Sequence, residues 1–262
     1  MVKRIGIEFE MCIAYKNKEN LDCFLEKLKP YGKVGYDGSV GLLLNDIERY
    51  KDYKVKKSVE FCTKPIKFKN FEELKRKIKS MILDITDNFK SVSINEVGKK
   101  RKDINLIFNR TTGTHIHYSD IIKKQENGVK RTNELYYFAD RDTLTSIIRA
   151  IKKMIKNERI KKACNRRYTN SRGSYYSTRY KQINITNTRN YGTIEFRLFN
   201  LQEVKQEEFF DVLFQQIDGL KNGLLKGYSI IKNFNKKLEK RINKELERIE
   251  EEENKEFLEV VI

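Results

Sequence analysis

Six residues fall into three pairs, each pair separated by one residue: Glu8 and Glu10, His115 and His117, Glu195 and Arg197. Side chains on a β-strand alternate between faces, so each pair shares a face, its members about 6.7 Å apart at ~3.3 Å per residue. The intervening and flanking residues are apolar: Ile7 and Phe9, Ile116, then Ile194 and Phe196. Carboxylate and imidazole donors gathered on one sheet face can hold Mg²⁺ or Mn²⁺, with phosphate oxygens completing the shell. A guanidinium beside a carboxylate adds a planar donor for phosphate oxygens. Each pair also has a plainer use. Two alternating acids suit a solvated sheet face, a histidine often serves as a hydrogen-bonded structural residue, and Glu195 with Arg197 suits a cross-strand ion pair. His115 and His117 are the only histidines in the chain, and two together facing acids favour the ligand role. A zinc hydrolase site is another use of His-x-His, but no third dedicated ligand is evident and the cysteines lack supporting spacing.

The elements that must position these residues follow from periodicity. Residues 4 to 12 alternate, with Ile5, Ile7, Phe9 and Met11 on one face and Gly6, Glu8, Glu10 and Cys12 on the other, which predicts a strand. Leu21, Phe24, Leu25 and Leu28 recur at helical spacing until Pro30, and Tyr36-Asp37-Gly38-Ser39 supplies a turn before another strand. Residues 54 to 62 predict a strand with Val59 and Phe61 opposing Glu60 and Cys62. Asn70 with Glu73 forms a capping pair for a helix with the stripe Phe71, Leu74, Ile78, Met81, Ile82, Ile85 and Phe89. Strands at 103 to 108 and 113 to 118 precede a helix through Leu144, Ile147, Ile148, Ile151 and Ile155. Residues 159 to 181 form a basic, tyrosine-rich loop without an acid, and strands at 181 to 187 and 192 to 199 flank a hairpin connection. From Val204 onward the chain reads as helical, with the stripe Leu238, Ile242, Leu246 and Ile249. The sum is α+β, a mainly antiparallel sheet with helices on one face.

Composition narrows the classes. At 262 residues with no linker or internal repeat, one domain over 1–262 is expected, with 203–262 as its helical C-terminal part. Hydrophobic residues are only 39%, but 15 Phe and 14 Tyr supply enough bulk for a core, which excludes a disordered chain. The net charge of +18 predicts attraction to polyanions, or simply a lysine-rich solvated surface. Cys12, Cys23, Cys62 and Cys164 form no disulfide or zinc spacing, and no stretch reads as a signal peptide or membrane span. A cytoplasmic location is expected.

Taken in order, Gly6-Ile7-Glu8-Phe9-Glu10, Asp37-Gly38-Ser39, Val59-Glu60-Phe61 through Pro65, Gly113-Thr114-His115-Ile116-His117 and Thr193-Ile194-Glu195-Phe196-Arg197 resemble the amidoligase family, carboxylate-amine ligases related to glutamine synthetase and glutamate-cysteine ligase. The resemblance spans roughly residues 4 to 200. It implies a glutamine-synthetase-like curved antiparallel sheet with helices packed on its convex face, and ATP with Mg²⁺ or Mn²⁺ on its concave face. It also implies metal ligands at Glu8, Glu10, Glu60, His115 and Glu195, nucleotide contact by His117, and stabilisation of the transferring phosphoryl group by Arg197. Asp37, Ser39 and, less strongly, Asn184 become substrate contacts, and Arg179 and Lys181 partners for ATP phosphates or the acid. The implied reaction joins an unidentified carboxylate to an unidentified amine through an acyl phosphate. The +18 charge and the Arg/Tyr segment exceed what free amino-acid substrates require. They leave two alternatives: a nucleic-acid-binding protein that stacks bases on tyrosine, although no RRM, KH or helix-turn-helix signature is present, and a ligase with a polyanionic acceptor.

Overall fold

The computed structural model describes residues 3–96, 102–119, 124–126, 129–131, 141–156, 158, 182–184, 193–202 and 204–261. At its centre is β1 (Lys3–Tyr15), whose Ile5, Ile7, Phe9, Met11 and Ile13 are all buried in the main core. Each such side chain contributes about 1.5–3 kcal/mol on burial. A one-residue register slip would put Glu8 and Glu10 in their place, so the alternation fixes which face carries the acids.

The 13 residues of β1 are long enough to take two antiparallel partners along each edge. On one edge lie β4 (Ile66–Phe68) and then β3 (Lys54–Thr63); on the other lie β7 (Thr114–Tyr118) and then β6 (Ile104–Ile107). The sheet extends through β2 (Gly32–Tyr36) beyond β3, and through β11 (Ile194–Phe199) and β10 (Ile183–Asn184) beyond β7. The only parallel pairing among the described strands joins β5 (Val92–Ile94) to β6. A small hairpin of β8 (Lys124–Glu126) and β9 (Val129–Arg131) stands apart.

The apolar face is covered by four helices. α1 (Lys18–Leu28) starts where Asn17 Oδ1 accepts the Asn20 N–H at 2.8 Å, and it buries Leu21, Phe24 and Leu28. α3 (Phe71–Ile85) opens on the expected capping pair: Asn70 Oδ1 accepts the Glu73 N–H, and Glu73 Oε2 accepts the Lys69 N–H. It ends earlier than the predicted stripe, because Asp87 and Asn88 take left-handed φ values of 47° and 55°. Short polar side chains tolerate that region, so Phe89 falls in a single 3₁₀ turn. α4 (Arg141–Met154) and α5 (Phe209–Val261) pack closely through Ile151 and two glycines. A Cβ on Gly223 would stand 2.6 Å from Ile151 Cγ1, so this approach requires glycine. No helix among the described residues is long and apolar enough to cross a membrane.

Two features revise the expectation of helices on one face only. The segment around α2 (Leu44–Arg49) packs on the acid-bearing face, where Val40 and Tyr50 meet Cys12, Ala14 and Ile107 in a second core. Asn109 Nδ2 donates to the buried Asp46 Oδ2 at 2.7 Å and fixes this cap. Along α5, Ile242 of the predicted stripe is 50% exposed, so that part of the helix has left the core. The predicted hairpin connection and the basic segment 159–181 lie outside the described residues.

Candidate functional site

Strand register assembles the polar face row by row. Glu8 lies opposite His115 on one side and Cys62 on the other, and Cys62 in turn lies opposite Lys33. In the next row Glu10 pairs with Glu60 and Glu60 with Gly35, while the Glu10 N–H donates to Gly113 O at 2.9 Å. In the row before, Gly6 pairs with His117, His117 with Glu195, and Glu195 with Asn184. Between Phe196 and Phe199 the register of β11 shifts, so two residues, Arg197 and Leu198, face His115 alone. This bulge lets Leu198 and Phe199 both enter the core while Arg197 stays beside Glu195.

The side chains converge on His115, which is fully buried. Its Nδ1 lies 2.6 Å from Glu8 Oε1 and 3.3 Å from Glu195 Oε1, and its Nε2 lies 3.7 Å from Glu10 Oε1. His117 Nε2 is 3.3 Å from Glu8 Oε2, and Arg197 Nε is 3.2 Å from Glu195 Oε1. Asn184 Nδ2 donates to Glu195 Oε2 at 2.7 Å. Beside Glu8, the Cys62 thiol is 3.2 Å from Glu60 Oε1. A cavity of about 400 Å³ opens next to these groups, lined by Arg4, Gly6, Glu8, Cys62, His117 and Thr193 among others.

Electrostatics distinguish the carboxylates. Burial pushes the Glu8 carboxyl up, but hydrogen bonds with His115 and His117 and the charge of both rings outweigh it, holding the group well below the usual carboxylate range. Glu60 moves the other way, raised by burial and then by the negative charge of Glu8. Burial and the neighbouring Glu60 likewise push the Cys62 thiol up.

The donor set suits divalent cations. The donor atoms of Glu8, His115 and Glu195 lie within 4.8 Å of one another, as do those of Glu8, Glu60 and Cys62. Glu8 and Glu195 approach the Nδ1 side of His115, whereas its Nε2, on the Glu10 side, is buried and has no hydrogen-bond partner, which is costly for a polar atom. Glu8 belongs to both groups.

The register therefore brings Glu8, Glu10, Glu60, His115, His117, Glu195 and Arg197 to one face. Asp37 and Ser39 follow β2, with Asp37 Oδ1 accepting the Ser39 N–H at 2.8 Å, and the Asp37 charge contributes to raising Glu60. Asn184 is buried opposite Glu195 in the strand register, and its Nδ2 donates to that carboxylate. Arg179 and Lys181 lie outside the described residues. Cys62 joins the cluster without having been assigned to it, although its strand parity with Glu60 carried the signal. Lys33 comes to the same face through β2, a strand that periodicity did not reveal.

The chain matches no protein-family model and no curated protein. The amidoligase resemblance thus rests on the sequence motifs alone.

Proposed function

We propose that this protein is an ATP-dependent carboxylate-amine ligase with a divalent-cation centre on the acid-bearing face of its sheet. One observation carries the reading: Glu8, Glu10 and Glu195 converge from two strands on the buried ring of His115 on a third, Glu8 and Glu195 at Nδ1 and Glu10 3.7 Å from an Nε2 that is buried and without a hydrogen bond. Glu8, His115 and Glu195 would hold one cation, and Glu8 and Glu60, with Glu10 near them, would serve a second. Bound Mg²⁺ or Mn²⁺ supplies positive charge to the phosphate oxygens of ATP.

The chain's own groups then have distinct tasks. His117, partly exposed on the cavity wall, meets the nucleotide. Arg197, held against Glu195 by the β11 bulge, offers its positive charge to the γ-phosphoryl group as charge shifts during transfer. A substrate carboxylate oxygen attacks the γ-phosphorus and ADP departs. The amine then attacks the acyl carbon, loses a proton, and expels phosphate. Asn184 keeps Glu195 oriented throughout.

Calorimetry of ATP binding with Mg²⁺ and with EDTA tests the site, and loss of binding on chelation is expected. An ¹⁸O-labelled carboxylate, found by screening metabolites for ATP-dependent condensation, should pass one label into released phosphate. AMP as product, or label retained wholly in the amide, would refute the acyl-phosphate step.

A further inference from the structure

The second half of α5 has a charge pattern that a solitary helix does not favour. Residues 226–244 carry Lys226, Lys232, Lys236, Lys237, Lys240, Arg241 and Lys244 against one acid, Glu239. Residues 245–259 carry eight glutamates against Arg248 and Lys255. Lys232, Lys236, Lys240 and Lys244 stand four residues apart, the spacing of neighbours on a helix surface, where each like-charge pair costs about 0.2–0.5 kcal/mol. Self-sufficient charged helices alternate opposite signs at that spacing; here Arg241 with Glu245, Arg248 with Glu252, and Lys255 with Glu251 and Glu259 are the opposite-sign pairs four residues apart, and Arg248 also meets Glu245 at 2.8 Å, within an otherwise segregated pattern. The final turn has no basic residue, and the acidic run before it opposes the helix dipole.

The described side chains from Lys232 to Arg248 are all exposed, including Ile242, while the buried stripe of α5 ends near Leu224. Residues 231–261 extend about 46 Å at 1.5 Å per residue, well over the length needed for a helix pair. Their apolar positions Ile231, Phe234, Leu238, Ile242, Leu246 and Ile249 recur at steps of three or four residues, and Phe257 lies two four-residue steps further on.

We propose that this segment pairs with the same segment of a second copy of the chain, antiparallel and centred near Lys244. That register sets Lys232 opposite Glu256, Lys236 opposite Glu252, Lys237 opposite Glu251 and Arg241 opposite Glu247, with Ile231 opposite Phe257 and Ile242 opposite Leu246; like charges meet at Lys240 with Arg248 and at Lys244 with its own copy. A parallel pair would oppose lysine to lysine and glutamate to glutamate, so charge complementarity selects both the partner and the direction. The proposal is independent of the ligase reading.

Sedimentation equilibrium of the full chain at low and moderate salt tests it. A dimer is expected whose dissociation constant rises at least about tenfold with salt, because the pairing charges are exposed and screened. Ile242→Glu should give a monomer, with unchanged helicity by circular dichroism. A chain bearing Lys232→Glu, Lys236→Glu and Lys237→Glu should also be monomeric. So should one bearing Glu251→Lys, Glu252→Lys and Glu256→Lys, and mixing the two should produce a heterodimer. A monomeric wild-type chain at low salt, a dimer indifferent to Ile242→Glu, or failure of the two charge-reversed chains to pair would overturn the proposal. A monomer that captures a single-stranded oligonucleotide through residues 232–244 would overturn it as well.

Discussion

Because Glu8 belongs to both donor groups, removing it should have twice the consequence of removing a residue that belongs to one. The measurable quantity is the rise in thermal midpoint on adding Mg²⁺ or Mn²⁺, taken separately for each variant so that its own baseline stability cancels. At a hundredfold excess over Kd one site adds about 2.7 kcal/mol, so two independent sites add about 5.4 kcal/mol. For a chain of this size each kcal/mol moves the midpoint by about 2–4 °C, giving about 11–22 °C for the wild type. Glu195→Gln or Glu60→Gln should retain about half of that rise, and Glu8→Gln should retain almost none. Differential scanning calorimetry across a cation titration, with EDTA as the reference, reads all four proteins. An equal cation-induced shift in wild type and Glu8→Gln would show that the ions bind elsewhere. Full retention in Glu60→Gln with half in Glu195→Gln would keep the imidazole-containing site and remove the second one.

Glu60 gives a pH-dependent prediction. Its carboxyl is raised in the folded chain, so between the unfolded value of 4.5 and the folded value the native state holds more protons, and stability falls as pH rises through that window. Without cations, Glu60→Gln should therefore flatten this decline and raise the midpoint at neutral pH, while weakening cation binding; a lower midpoint at every pH would contradict the sign. Arg197→Ala should reduce kcat at least about tenfold with a smaller change in ATP affinity, since its charge serves the transferring group, and calorimetry beside steady-state rates checks the split. Gly223→Ala should destabilise the protein by about 1–3 kcal/mol in urea denaturation, because stiff, β-branched Ile147 and Ile151 fill the space a methyl group needs.

How much of this site could be read from the sequence follows from what sets each residue's direction. Along β1, β7 and β11 a buried face alternates with a polar one, and that period-two pattern is local, so the residues sharing a face were evident from 4–12, 113–118 and 192–199 without knowing the partners. β2 escaped because it is an edge strand with no residue fully buried, leaving no apolar alternation to find. The length of α3 was overread because Phe89 continues its apolar period, whereas backbone conformation at Asp87 and Asn88 ends it. Which strands stand side by side is a long-range outcome, and it decides the chemistry. Glu8 and His115 are separated by 107 residues yet meet at 2.6 Å, and Cys62 enters only because β3 occupies the other edge of β1.

That placement also explains why the acids can remain ionisable so close to a core. The strand that buries Ile7 and Phe9 must present Glu8 and Glu10 on its reverse, and the cap formed around Val40 and Tyr50 closes that face only at Cys12 and Ala14. The acids are thus left between a sealed end and an open cavity lined by Gly6, Glu8 and His117. Buried carboxylates at such spacing repel one another unless cationic groups compensate. Arg197 meets Glu195, and the two imidazoles meet Glu8, but Glu60 keeps a raised pKa beside Glu8. The site as folded therefore has negative charge in excess where the cavity begins, and a divalent cation carrying phosphate oxygens would relieve it from the open side.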